Sequence, residues 1–226
     1  MDTDIFIHVG LHKTGTTFLQ KEIFPKLENC NYIDKAKLEN ITIEQGKINL
    51  ISREGLSVSP DKFKLKRSIK PEARFVTAER LKLLFPDAKI IVGVRDKESW
   101  INSLYKERVK GEGFITKDEY VKNLDKDFLD FDKYINHLEK LFSDVYVYKF
   151  EQLKDEPDRF VKGICNFIGV EVPRYSLETH NKGYTERQIK TILNLDKILS
   201  HIFGDFVARK LHVLLRYAID YVRKDL

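Results

Sequence analysis

Cysteine is scarce in this chain. Cys30 and Cys165 are the only two in 226 residues, and they stand far apart. No Cys-x-x-Cys pair or Cys/His cluster occurs, which excludes a zinc ribbon and a disulfide-stapled scaffold. Such usage fits a reducing, cytoplasmic setting. Long apolar runs are also missing. None approaches the ~20 residues of a membrane-spanning helix. The acidic start, Met1-Asp2-Thr3-Asp4, leads straight into a strand-like run, so no signal peptide is expected. Neither sign of charge dominates: 40 basic against 35 acidic residues leave +5, with a pI near 8.9. That balance favours anionic ligands but is too mild and dispersed to demand nucleic acid. There is no internal repeat and no low-complexity linker. With 42% hydrophobic and 33% charged residues, the composition is that of one α/β domain with a sizeable core, residues 1–226, in which 185–226 form a helical C-terminal extension.

What is present is organised around Ile5-Phe6-Ile7-His8-Val9-Gly10-Leu11-His12-Lys13-Thr14-Gly15-Thr16-Thr17-Phe18-Leu19-Gln20. The opening apolar run reads as a buried parallel strand. Two glycines, a lysine and three threonines follow, and then a helical pattern with Phe18, Leu19 and Ile23 apolar. A strand, a Gly-containing loop and a helix N-terminus together aim backbone N–H groups at one anion. Gly10 and Gly15 match the spacing of the Walker A loop, Gly-x4-Gly-Lys-Ser/Thr, and Thr17 stands at its hydroxyl position. The lysine does not fit: Thr16 occupies its place, and Lys13 lies inside the loop. A lysine there would lie over a group attached to a single 5′-phosphate, which argues for a phosphate-bearing nucleotide and against ATP.

Further along, Asn31–Asp34 and Lys47–Ser52 read as strands, and residues 35–46 as polar helix or loop. A lysine-rich segment runs to residue 70. Pro71 then precedes a helix from Ala73 to Phe85, which Pro86-Asp87 stops. Ala88–Val94 is a strong strand closed by Arg95-Asp96, and residues 97–110 form a helix. Residues 111–129 read as a Gly-Glu-Gly turn and a charged, mobile flap. Phe131–Phe142 is an amphipathic helix and Val145–Tyr148 a strand. A helix from Pro157 to Ile168 ends at Gly169. The loop Thr179–Tyr184 leads into two helices, about 185–203 and 205–224. Strands alternating with helices predict a P-loop-type three-layer sandwich: a parallel sheet of about five strands with helices on both faces and a helical tail.

Ligands of open α/β sheets sit at the carboxyl ends of strands. Arg95 is at such an end, and Ser99 and Ser103 follow on one face of the next helix. Arg95 and Ser103 could approach one anion, although an ion pair of Arg95 with Asp96 or Glu98 and a packing role for Ser103 account for them singly. Two anion sites at neighbouring strand ends suit a nucleotide phosphorylated at both ends. On these residues the chain resembles the sulfotransferases that use 3′-phosphoadenosine 5′-phosphosulfate (PAPS), especially bacterial relatives of the carbohydrate-modifying branch. The resemblance covers most of residues 5–184. It rests on His12-Lys13-Thr14-Gly15-Thr16-Thr17, Leu84–Ile91 running into Arg95-Asp96, the Arg95-x7-Ser103 spacing, Phe150-Glu151-Gln152-Leu153 and Asn166–Val170.

The resemblance implies that Lys13 contacts the phosphosulfate bridge and that the amides and hydroxyls of Gly15, Thr16 and Thr17 contact the 5′-phosphate, with Thr14 beside them in the nucleotide site. Arg95 and Ser103 would hold the 3′-phosphate. Lys182-Gly183 looks like a shortened basic-glycine loop over the nucleotide, and a polar loop before a helix describes it equally well. Transfer of a sulfuryl group is an in-line displacement in which positioning and charge stabilisation do most of the work. The sulfuryl group carries less charge than a phosphoryl group, so no metal is required. The acceptor hydroxyl, of a carbohydrate or glycan, needs a base. Glu54, after the strand 47–52, is one candidate, and His12 beside Lys13 is the other. His8 reads as a core residue, and His137, His201 and His212 receive no role. Two other functions share these features: an ATP-dependent small-molecule kinase and a non-catalytic nucleotide-binding protein. The tail, with Phe206, Val207, Leu211, Leu214, Leu215, Ala218 and Val222 near helical spacing, reads as a packing or homodimer helix in preference to a membrane-surface helix.

Overall fold

The computed structural model describes residues 3–34, 40–53, 56, 73–112, 115–124, 126–177 and 184–222. The described chain divides into two units: Met1–Lys97 with Asp125–His180, and Glu98–Leu124 with Asn181–Leu226.

The first unit is built outward from β1 (Ile5–Val9), whose Phe6, Ile7, His8 and Val9 are all buried. A strand covered on both faces needs such a run, without polar alternation. Four more parallel strands join it: β2 (Cys30–Ile33), β3 (Ile48–Ser52), β4 (Lys89–Val94) and β5 (Val145–Lys149), in the order β2-β3-β1-β4-β5. Ile7 lies opposite Ile51 on one side and Ile90 on the other. The strand order reverses at β1, and crevices of open α/β sheets form at such switch points.

Side-chain alternation gives the sheet two dissimilar faces. Ile7, Val9, Ile51, Ile90 and Val92 form one core with Ala78 and Leu81 of α2 (Ala73–Leu84) and Tyr134 and Leu138 of α5 (Phe131–Leu141). Phe6, Leu50, Ile91 and Tyr148 form the other, with Leu19, Ile23 and α7 (Pro157–Ile168). In α7, Phe160, Val161, Ile164, Cys165 and Ile168 recur at helical spacing. Pro157 opens the helix, and Gly169, at φ 82°, caps it by donating to the Cys165 and Asn166 carbonyls. Arg74 is fully buried on α2. Its guanidinium lies 4.9–5.5 Å from the rings of Phe75, Phe128 and Tyr134 and donates to the carbonyls of Phe128 and Asp130. Ring faces and carbonyls thus help to offset the buried charge.

The second unit is helical. It holds α3, which runs Lys97–Glu112, then α4 (Lys117–Lys122) and α8 (Glu186–Val222). The sequence reads 111–129 as irregular. Instead α3 continues through Gly111 and Glu112, and Thr116 starts α4 with a reciprocal capping box to Glu119. A 3-10 turn, Lys126–Leu129, follows. The Thr-x-x-Glu signal at 116–119 was legible and outweighs the charge and glycine content on which the flap reading rested. The break expected near residue 204 is present: Gly204, at φ 75° and ψ 159°, splits α8 in two. His212 then reaches back to Asp196 at 2.9 Å. The two residues are equidistant from Gly204, and a straight helix would hold them about 24 Å apart. Among the described residues no helix is long and apolar enough to cross a membrane.

Candidate functional site

The residues after β1 turn sharply at the switch point. Lys13 takes φ 65° and Gly15 φ 88°, both left-handed. For lysine that conformation costs about 1 kcal/mol, a strain found at functional loops when the surroundings enforce it. Two contacts enforce it here. Arg95, just past the end of β4, donates from Nη1 to the Lys13 carbonyl at 3.0 Å. The Thr14 hydroxyl donates to the Leu11 carbonyl at 2.7 Å. Gly15 is required twice over. Its φ suits glycine, and a Cβ would lie 3.0 Å from Leu153 and 3.3 Å from Phe150 of α6 (Phe150–Asp155). The Phe150-Glu151-Gln152-Leu153 segment is therefore the buttress of the loop.

Past Gly15 the chain enters α1 (Thr16–Phe18), widens into a π turn over Leu19–Ile23 and tightens into a 3-10 turn over Phe24–Lys26. Pro25 explains the change, since it lacks an N–H for the α pattern and crowds the preceding turn. The Phe18 and Leu19 amides bond to the Gly15 carbonyl, whereas the first-turn amides have no helical carbonyl behind them. Thr16 is buried, and its hydroxyl turns inward to the Leu11 carbonyl at 3.4 Å. Thr16 and Thr14 thus hold the loop with their hydroxyls and can offer an anion only their backbone. Thr17, His12 and Lys13 are partly exposed.

Arg95 is half-buried, its guanidinium 4.5 Å above the Phe150 ring. Burial lowers its pKa, while the charges of Glu151 and Asp96 raise it. Glu151 also accepts from the Asp96 amide at 3.1 Å. Ser103 is partly exposed on α3, in the second unit. Glu54, Lys182 and Gly183 lie outside the described residues.

One group of residues escaped the sequence reading. His8 is fully buried, its Nδ1 2.8 Å from the Ser52 hydroxyl and its Nε2 3.0 Å from the Tyr148 hydroxyl. Gln20 donates to the same Ser52 hydroxyl at 3.1 Å and to the Ser52 carbonyl at 3.3 Å. Burial pulls the His8 pKa down to about 3, so the ring is neutral. Tyr148 reaches His8 by crossing β4 at Gly93, where a Cβ would lie 2.4 Å from the tyrosine ring. A glycine within a strong strand is a legible sign of close approach, and it was the available clue. His8 is a satisfied core residue, as expected, but its partners tie together β1, β3, β5 and the turn after the loop.

The fold and this loop define a P-loop-type α/β protein with a sharp glycine-containing turn at its switch point. Residues 31–174 match the profile of the sulfotransferase family, and the chain belongs to that family. The chain is similar in structure to a sulfotransferase from Alicyclobacillus acidocaldarius: 17% identity, TM-score 0.55, covering 94% of this chain and 96% of that one. That likeness extends the shared fold to the loop, which precedes the matched stretch. A mouse sulfotransferase, SULT7A1 complexed with PAP, gives 16% identity, TM-score 0.49 and coverage of 84% and 62%. No curated protein matches in sequence.

Proposed function

We propose that this sulfotransferase-family enzyme moves a sulfuryl group from PAPS to a hydroxyl of a carbohydrate or glycan, by in-line displacement without a metal. The observation that carries the reading is Lys13, held in a left-handed conformation at the switch point by Arg95. The loop fits the donor: it combines a cationic side chain with amides that have no helical carbonyl to pair with. PAPS supplies the activated sulfuryl group. Lys13 neutralises charge at the leaving oxygen, and the backbone of Thr14, Gly15 and Thr16, with Thr17, surrounds the 5′-phosphate. Arg95 and Ser103 serve the 3′-phosphate, and Lys182-Gly183 closes over the nucleotide. Glu54 takes the acceptor proton, with His12 as the competing base. The two cysteines are unpaired, Cys165 buried and Cys30 half-buried, in keeping with a cytoplasmic setting.

Calorimetry with adenosine 3′,5′-bisphosphate and a chelator tests the donor. Binding without magnesium is expected. No heat for the bisphosphate together with clear binding of Mg-ATP would make the protein a kinase. In the same experiment Arg95→Ala should weaken the bisphosphate roughly tenfold to a hundredfold, from about 1.5–3 kcal/mol for a charged hydrogen bond. Adenosine 5′-phosphosulfate, which lacks the 3′-phosphate, should lose less, only what release of the Lys13 carbonyl costs the loop, and equal losses for both ligands would remove Arg95 from the 3′-phosphate role.

A further inference from the structure

The second unit contains an open cavity of about 600 Å³ between α3, the start of α4 and the first half of α8. Its volume is that of ligand pockets in general. The α8 wall is one helical face: Lys190, Leu193, Asn194, Lys197 and His201 recur at steps of three and four residues. Lys117 of α4 stands in the same lining. A face turned to a packed core would be apolar at these positions; this one is basic.

Of the acids near the cavity, Asp118 lies close to Tyr105, and two others are engaged by other groups. Asp196 is buried and bonded to His212 Nδ1 at 2.9 Å, and His212 Nε2 lies 3.4 Å from the Lys110 carbonyl. Glu119 accepts from the Thr116 amide and hydroxyl at 3.0 and 2.9 Å. By contrast, among the described residues Lys117, Lys190, Lys197 and His201 have neither an ion pair nor a hydrogen bond. Three lysines line this concavity against one carboxylate, Asp196, which is bonded to His212, so the lining carries an excess of positive charge focused on the cavity. Lys190 and Lys197 are two helical turns apart, about 10 Å along the axis. One small anion cannot bridge that separation.

We infer that this cavity is a second binding site, for an extended anionic ligand whose carboxylate or sulfate groups repeat over about two helical turns, as in an acidic oligosaccharide. Asn194 and Leu193 in the lining add a polar and an apolar group that suit the hydroxyls and ring faces of such a chain. All of the cavity's lining residues belong to the second unit, and the site does not depend on the identity of the donor.

The test is titration of the full-length protein with a uronate-containing tetrasaccharide, with its carboxyl-reduced neutral form and with inorganic sulfate. The expected result is binding of the acidic tetrasaccharide, at least about tenfold tighter than either control. Lys190→Ser combined with Lys197→Ser should weaken it about tenfold or more, since each lost partner is charged. Both lysines are exposed, so the variant should fold. Its affinity for adenosine 3′,5′-bisphosphate should stay unchanged. Failure of the wild type to bind the acidic tetrasaccharide overturns the inference, as does equal binding of the neutral form, of sulfate or by the double variant. A matching loss of bisphosphate affinity would assign the lysines to the donor site and overturn it too. If the wild type ignores the bisphosphate yet binds the acidic chain, the donor reading fails and this one stands.

Discussion

The two faces of the central sheet are built from the same five strands and do different things. Under α2 and α5 the strand side chains Ile7, Val9, Ile51, Ile90 and Val92 are apolar, and the buried polar exception is Asn49 near the amino end of β3. Under the turn after the loop and α7, Phe6, Leu50 and Ile91 are apolar too at the amino ends, but the carboxyl ends carry His8, Ser52 and Tyr148. The apolar face stabilises by area, which is non-directional and tolerates small shifts. The polar face stabilises by hydrogen bonds, which fail with small changes of angle. Directional contacts therefore sit where β1 and β3 end, beside the loop that carries Lys13. One face supports the fold and the other sets the positions of the strand ends at the site.

The largest effect that bears on this division is expected at Glu54, two residues past Ser52. Glu54→Gln should lower single-turnover rate about 100- to 10,000-fold, the usual cost of a lost base, with bisphosphate affinity unchanged. His12→Asn should cost less, through the loop. The comparison requires both variants with a turned-over acceptor. Near-normal rate for Glu54→Gln and loss for His12→Asn at unchanged affinity would make His12 the base.

On the apolar face, Leu138→Ala should lower unfolding free energy by about 2–5 kcal/mol, because the side chain is fully buried in the core. Denaturant midpoints measure this. Bisphosphate affinity of the folded variant should match wild type, and a parallel fall would dissolve the distinction between the faces.

The layers were legible because alternation of apolar strands with helical spacing reports burial directly: all five strands stand within a residue or two of their expected limits. Lys13 and Gly15 were legible because a loop between strand and helix has few purposes for those residue types. Two things were not legible. The inward turn of the Thr14 and Thr16 hydroxyls depends on a carbonyl three and five residues back, which residue type does not encode. The His8 network joins residues up to 140 positions apart, and only Gly93 hinted at it. The burial of Arg74 likewise depends on three aromatic rings, of Phe75, Phe128 and Tyr134, that come together only in the fold.

The polar face should also be the sheet's acid-sensitive one. An unfolded histidine titrates near 6.5, whereas buried His8 titrates at about 3. Between those values the unfolded chain binds a proton that the native chain does not, so stability falls as pH drops below about 6.5. The slope is about 1.4 kcal/mol per pH unit, and the loss continues until the native ring itself protonates. From pH 7 to pH 5 this one group should contribute about 2 kcal/mol of destabilisation. Carboxylates contribute over the same range, but equally in wild type and in His8→Gln, so the difference between the two profiles isolates the imidazole. Tyr148→Phe provides the second arm. It removes the partner of Nε2 and keeps the ring buried, so stability at pH 7 should fall by about 1–3 kcal/mol while the acid slope remains. If wild type and His8→Gln lose stability in parallel between pH 7 and 5, another group governs acid sensitivity, and the polar face is no more vulnerable to protons than the apolar one.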